Sequence, residues 1–86
     1  MKDPYEEVKD VVNHMAAVKM HMNAHKGNIE DVESGQILEM LEREVQELKE
    51  AVAGGNYMHI LEEAADVENF LVAIVHREIA KYRGRK

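Results

Sequence analysis

Residues 62–75 read EEAADVENFLVAIV, and their pattern predicts a central helix against which the rest of the chain packs. From Ala64 to Val75, apolar side chains occupy most of the circumference of a helix that turns about 100° per residue. A helix that is apolar nearly all round is buried on several sides. We therefore predict a central helix that starts after Asn56, which is an acceptable N-cap, and runs to about Tyr82.

Two further helices are predicted before this one. The first has Asp3 as its N-cap, followed by proline at the first helical position, and Gly27 is its predicted stop. The second starts near Ser34 as N-cap and ends before Gly54. Apolar residues recur at helical spacing in both segments, and no segment shows the alternation typical of a strand. The predicted fold class is all-α, with a three-helix protomer.

Chain length suggests one domain, residues 1–86, and an oligomer. A third helix of about 26 residues would be roughly 39 Å long, whereas a compact chain of this size is about 30 Å across. Its apolar surface would extend beyond a monomer. We therefore expect a homodimer or homotetramer in which helices assemble into a four-helix-bundle-like core across a two-fold axis.

Composition excludes several kinds of function. The chain has no cysteine, which rules out disulfides and thiolate metal centres. It carries 17 acidic residues against 11 lysines and arginines, a net charge of -6, so we expect no nucleic-acid partner. No apolar run reaches the roughly 18–20 residues of a membrane span, and the N-terminus lacks the apolar core of a signal peptide. We expect a cytoplasmic protein with no membrane partner.

Four acidic residues stand out by their position on the helical wheel. Glu44 and Glu47 lie at the margin of the apolar face of the second helix, and Glu63 and Asp66 hold the same place on the third. Like charges three residues apart repel, and moving them towards a packed interface adds a desolvation penalty. A divalent cation would remove both penalties, and magnesium prefers oxygen ligands. The arrangement therefore favours a carboxylate metal site between two helices.

The i,i+3 spacing by itself is a weak signal. The chain contains seven such acidic pairs, most of them on solvated faces, and only the wheel position separates these two pairs from the rest. The alternative interpretation is that the four are ordinary carboxylates, paired elsewhere or lying at an interface. Glu68 also falls on the apolar side, where it has no metal role and is expected to meet a basic residue across an oligomer interface.

Two motifs give the chain a family resemblance. Residues 39–51 read EMLEREVQELKEA and residues 62–70 read EEAADVENF. Together they resemble the E-x-x-E … E-x-x-D signature of the MazG-like nucleotide pyrophosphohydrolases, which are all-α NTP pyrophosphatases. The resemblance extends from about His25 to the end of the third helix. Its two motifs fall on the same four acids, Glu44, Glu47, Glu63 and Asp66.

The chain departs from the family pattern at two positions. Arg43 precedes Glu44 where many relatives have a second glutamate, and Glu68 stands where many have a small residue. Neither position is one of the four matched acids. Both departures bear on the interface and on the number of metal ions held.

The resemblance implies a metal-dependent hydrolase. Its substrate would be a nucleoside triphosphate, cleaved between the α- and β-phosphates to a monophosphate and pyrophosphate. The cofactor would be Mg²⁺, with Mn²⁺ as a possible substitute, held by the four acids. Glu44 or Glu47 would orient the attacking water as a base. The predicted substrate-binding residues are Lys26, Asn69 and Arg77.

Two other functions remain open at this point. The chain could be a non-catalytic acidic oligomer, a regulatory or adaptor protein whose third helix is a docking surface. It could also bind zinc through His21 and His25, which are four residues apart, although no third ligand is evident. The preferred base and sugar are not readable from the sequence.

Overall fold

Three α-helices are present in the part of the chain that the computed structural model describes, residues 3–23 and 32–84. They are α1 (Pro4–Met22), α2 (Ser34–Gly54) and α3 (Tyr57–Gly84). These described residues contain no strand, so the predicted all-α class is confirmed. None of the three helices carries an apolar stretch long enough to cross a bilayer.

The start of α1 follows the prediction, but its end does not. The Asp3 carboxylate accepts a hydrogen bond of 2.9 Å from the Glu6 backbone N–H, as expected of an N-cap. The predicted stop at Gly27 is wrong, because the helix already ends at Met22. Asn23 follows at φ -94° and ψ 2°, outside the helical region, and asparagine is a poor helix former. Gly27 itself lies outside the described residues.

The connection between α2 and α3 is a tight turn. Gly55 adopts φ 76°, a left-handed conformation that suits glycine at the end of a helix. The next residue, Asn56, caps α3 as predicted, since its side-chain oxygen accepts from the His59 N–H at 3.0 Å. At the other end of α2 the cap is Glu33, so Ser34 is the first helical residue and not the predicted N-cap. The short turn makes α2 and α3 antiparallel.

The third helix is the central one, as predicted. It packs against both α1 and α2, which make few contacts with each other. The first halves of α1 and α3 line one groove, to which Val8 and Leu61 both contribute. Further along both helices, the Asn69 side-chain amide donates to the Ala16 carbonyl at 3.0 Å. Early residues therefore meet early residues and later residues meet later ones, so α1 and α3 run in the same general direction.

The buried core is small and is shared by all three helices. Ala65 is completely buried in α3, and the absence of a large side chain there allows the helices to approach closely. Phe70 is also buried and belongs to this core. Among the residues that the structure describes, the buried apolar ones are Ala16, Ile37, Ala51, Leu61, Ala65 and Phe70.

The protomer is elongated, and the second half of α3 is poorly covered. Its extents are 44 × 33 × 22 Å and its radius of gyration is 14.4 Å, against about 12 Å for a compact chain of this length. The sequence predicts that Leu71, Val75 and Ile79 belong to the core face. In the protomer, however, they and Val72 are 44–57% exposed. α3 is the longest helix, and neither shorter neighbour covers this end of it.

Candidate metal centre

Three of the four predicted acids converge between α2 and α3. Glu44, Glu63 and Asp66 each offer a carboxylate oxygen, and these oxygens lie within 4.8 Å of one another. All three side chains are half-buried. Two oxygens bound to one ion are up to about 4.2 Å apart for magnesium, with bonds of about 2.0–2.1 Å, and up to about 5 Å apart for calcium. Oxygens grouped within 4.8 Å are therefore near the spacing that one ion requires.

The antiparallel turn explains why the two motifs meet. Glu44 lies eleven residues before Gly55 and Asp66 lies eleven residues after it. Glu47 and Glu63 are each eight residues from the same glycine. Positions equally distant from a tight turn lie opposite each other in an antiparallel helix pair. The sequence spacing of the two motifs therefore encodes their approach.

Two carboxylate oxygens at this site are buried without a partner. Glu44 Oε2 and Glu63 Oε2 are both inaccessible to solvent and accept no hydrogen bond from the described residues. Leaving a buried acceptor unsatisfied costs about 1–3 kcal/mol, and more when the group is charged. Each of these oxygens therefore requires a positive group or a proton that the side chains of the described residues do not supply.

Burial and mutual repulsion oppose the full ionisation of the carboxyl groups at this site. Burial raises the pKa of Glu44 to about 7, and the neighbouring carboxylates, Glu47 foremost, contribute to this rise. Burial also raises the pKa of Glu63, again together with the charge of Glu47. The pKa of Asp66 is raised by burial, although nearby Lys19 opposes the change. Without a cation, the site therefore holds protons at a pH where isolated carboxyls have lost them.

Glu47 lies at the solvent-facing edge of this group. Its side chain is exposed, and it is not one of the three acids whose oxygens converge most tightly. It is nevertheless near enough to raise the pKa values of both Glu44 and Glu63. The structure thus distinguishes a half-buried set of three acids from one accessible acid beside them.

Sequence reasoning missed one charged residue that contacts the site, Lys19 of α1. Its ammonium Nζ lies 3.3 Å from Asp66 Oδ2, and the two side chains are 21% and 17% exposed. A signal for it was present, because Lys19 follows Met15 by four residues and Ala16 by three, on the face that α1 buries. On the other side of the site, His59 Nε2 lies 3.4 Å from Glu63 Oε1.

The predicted substrate-binding residues fall in different places. Asn69 is close to the site, but its amide donates to α1 and thereby ties the two helices together. Arg77 lies eleven residues beyond Asp66, roughly 16 Å further along the helix axis, so one protomer does not bring it to the acids. Lys26 lies outside the described residues, and its role stays a prediction.

Only one residue of the predicted zinc pair lies in the described part of the chain. His21 is exposed and His25 lies outside the described residues. Within residues 3–23 and 32–84, the only group of three or more metal-ligating side chains is the acidic one. Its donors are all oxygens, some of them without a hydrogen-bond partner, and this donor set fits a hard divalent cation such as magnesium.

A scan of family models and searches of curated proteins and of solved structures found no match to this chain. The resemblance to MazG-like enzymes therefore rests on the two acidic motifs quoted above. Their residues meet in space, and that geometry is the basis for any functional proposal.

Proposed function

We propose that this chain is a magnesium-dependent nucleoside triphosphate pyrophosphohydrolase of the MazG-like kind, acting in the cytoplasm. The reaction would convert a nucleoside triphosphate and water into a nucleoside monophosphate and pyrophosphate, with Mn²⁺ as a possible substitute metal. The observation that carries the proposal is the approach of Glu44 to Glu63 and Asp66, with two buried oxygens lacking partners. A bound divalent ion would supply the partner that those two oxygens lack among the described residues.

Each residue of the site has a role in this proposal. Glu44, Glu63 and Asp66 would hold the cation, and Glu47 would complete the set from the exposed edge. A bound magnesium ion neutralises triphosphate charge and lowers the pKa of a water molecule. Glu47 is accessible to solvent, so it is the better placed of the two candidate bases to orient that water and accept its proton. Water would then add at phosphorus as the α–β anhydride bond breaks.

Pyrophosphate release from a panel of nucleoside triphosphates tests the proposal. With Mg²⁺ or Mn²⁺ we expect at least one ribo- or deoxyribonucleotide to give equal amounts of monophosphate and pyrophosphate, and a chelator should stop the reaction. Coupled detection of pyrophosphate, with chromatography of the nucleotide product, measures both. Release of inorganic phosphate and a diphosphate would instead indicate cleavage at the β–γ bond. The absence of turnover with every nucleotide and both metals would refute the proposal.

One surface of α3 bears on assembly, and the alternative of a non-catalytic adaptor would use the same surface to dock a partner. Apolar residues of α3 form a partly exposed surface that we call the α3 strip. Its members fall within an arc of about 120° on the helical wheel and extend for roughly 33 Å along the axis. Its first part borders a groove of about 450 Å³ that α1 also lines, and its second part is an open apolar face of α3 alone. The strip comprises Tyr57, Ile60, Ala64, Leu71, Val72, Val75 and Ile79.

We propose that the α3 strip binds a second copy of the chain. Its first part borders the groove against α1, whereas its second part, from Leu71 to Ile79, lies where neither α1 nor α2 covers α3. The same uncovered part of a second α3 would match it in length and in apolar character. Antiparallel packing of two strips about a two-fold axis would assemble a four-helix-bundle-like core, as a homodimer or as half of a homotetramer. Glu68 falls within the arc of the strip and is half-buried, so it would lie at this interface and would meet a basic residue of the second copy.

Introducing a charge into the strip should dissociate the oligomer. Val75→Glu would place a carboxylate in the apolar contact, whereas Val52→Glu alters an equally exposed valine of α2; the two side chains are 56% and 57% exposed. Light scattering after size-exclusion chromatography should show a protomer mass of 9.8 kDa for the first variant only. A wild-type protein that is monomeric at about 100 μM, or a Val75 variant that stays assembled, would contradict this interface.

A further inference from the structure

We propose that Lys19 is a second cationic group of the site, which binds a triphosphate oxygen beside the metal ion. This inference rests on the proposed function, because it concerns the substrate of the same site. The residue lies on α1, outside both acidic motifs, and reaches the site only through the packing of α1 on α3.

The position of Lys19 is determined by helix packing. Ala16, one turn earlier, is buried, and its carbonyl accepts the Asn69 hydrogen bond at 3.0 Å. This contact holds α1 against α3 next to Asp66. The buried contact at Ala16 therefore holds the helix that carries Lys19 next to the acids. A lysine on a freely exposed surface would instead move among many rotamers.

The ammonium can serve two partners. A lysine has three N–H donors, and Asp66 Oδ2 lies within 3.3 Å of Nζ. The Lys19 side chain is 21% exposed, so solvent, and hence a ligand, reaches part of it. Asp66 has two carboxylate oxygens and can face a metal ion with one while it contacts Lys19 with the other.

Charge balance gives the ammonium a function beyond stability. The four acids carry up to four negative charges, and one divalent ion neutralises only two of them. A triphosphate is itself a polyanion, so a further positive charge beside the metal favours its approach. Lys19 is the lysine that the described structure places against one of the proposed ligands. His59 contacts Glu63 and adds positive charge only when it is protonated.

Such a role predicts opposite effects on two ligands. Lys19→Met removes a positive charge that competes with the metal for Asp66, so Mn²⁺ alone should bind about threefold more tightly or better. The same change removes a phosphate contact, so inorganic triphosphate with saturating Mn²⁺ should bind about tenfold more weakly. Lys19→Arg keeps the charge and should retain most of the triphosphate affinity. Isothermal titration calorimetry measures both ligands, and inorganic triphosphate avoids any dependence on the base.

The control is Lys81→Met, which removes a lysine paired with Glu78 at 3.2 Å, away from the acids. It should change neither affinity. Unchanged triphosphate binding by Lys19→Met would overturn the inference while leaving the metal site intact. A parallel fall of both affinities and of the melting temperature would also overturn it, because Lys19 would then act through stability alone. If the wild-type protein bound no Mn²⁺, the proposed function itself would fail.

Discussion

Replacing Glu44 by glutamine should abolish pyrophosphate release and, at the same time, stabilise the metal-free protein at pH 8. The glutamine keeps the size of the side chain but removes the charge of a half-buried carboxylate. One oxygen of that carboxylate has no hydrogen-bond partner among the described residues, and burial raises the pKa of the group to about 7. Turnover should fall by about a hundredfold or more, because the variant lacks a metal ligand. Pyrophosphate assays and thermal melts in a chelator measure the two effects.

Asp66→Asn provides the matched comparison. It should also abolish turnover, but it should stabilise the metal-free protein less than Glu44→Gln does, because the contact with Lys19 offsets part of the cost of burying the Asp66 charge. Glu42→Gln, at an exposed position of α2, should leave both turnover and stability unchanged. Retained turnover in both site variants would remove the site as proposed. A Glu44 variant that melts at a lower temperature than the wild type would show that its carboxylate is not under electrostatic strain.

The metal-free protein should lose stability as the pH rises from about 4.5 to about 7, and Mn²⁺ should reverse this loss. In the unfolded chain Glu44 ionises near 4.5, whereas burial keeps its folded pKa at about 7. Between these values the folded state binds more protons than the unfolded state, so the free energy of unfolding decreases with rising pH. The pKa values of Glu63 and Asp66 are raised as well, which adds to the trend.

Mn²⁺ should act most strongly above pH 7, where the ligands are ionised. At a concentration a hundred times its dissociation constant, the ion would stabilise the fold by about 2.7 kcal/mol, which raises the melting temperature on the order of 10–20 °C in a domain of this size. Comparing wild type with Glu44→Gln isolates the contribution of the site from that of other carboxyls. An unchanged melting temperature with Mn²⁺ or Mg²⁺ would favour the non-catalytic adaptor instead.

Much of the fold was predictable because its signals are local. The N-caps at Asp3 and Asn56 and the left-handed Gly55 depend on hydrogen bonds and backbone preferences within a few residues. The helical wheel likewise placed Glu44 and Glu63 at the edge of apolar faces, where they are half-buried. The end of α1 at Met22 was not predicted, because asparagine is a weaker signal for the end of a helix than glycine is.

The primary sequence was thus sufficient for the helices, for the antiparallel pairing of α2 with α3 and for the approach of the acids, because a short turn brings equally distant residues together. Tertiary packing alone determined that Lys19 meets Asp66, 47 residues further along the chain, and that α3 remains half-exposed beyond Phe70. Those features depend on how separate helices dock and rotate against each other. No local periodicity specifies that arrangement, since it arises from contacts between side chains that are distant in sequence.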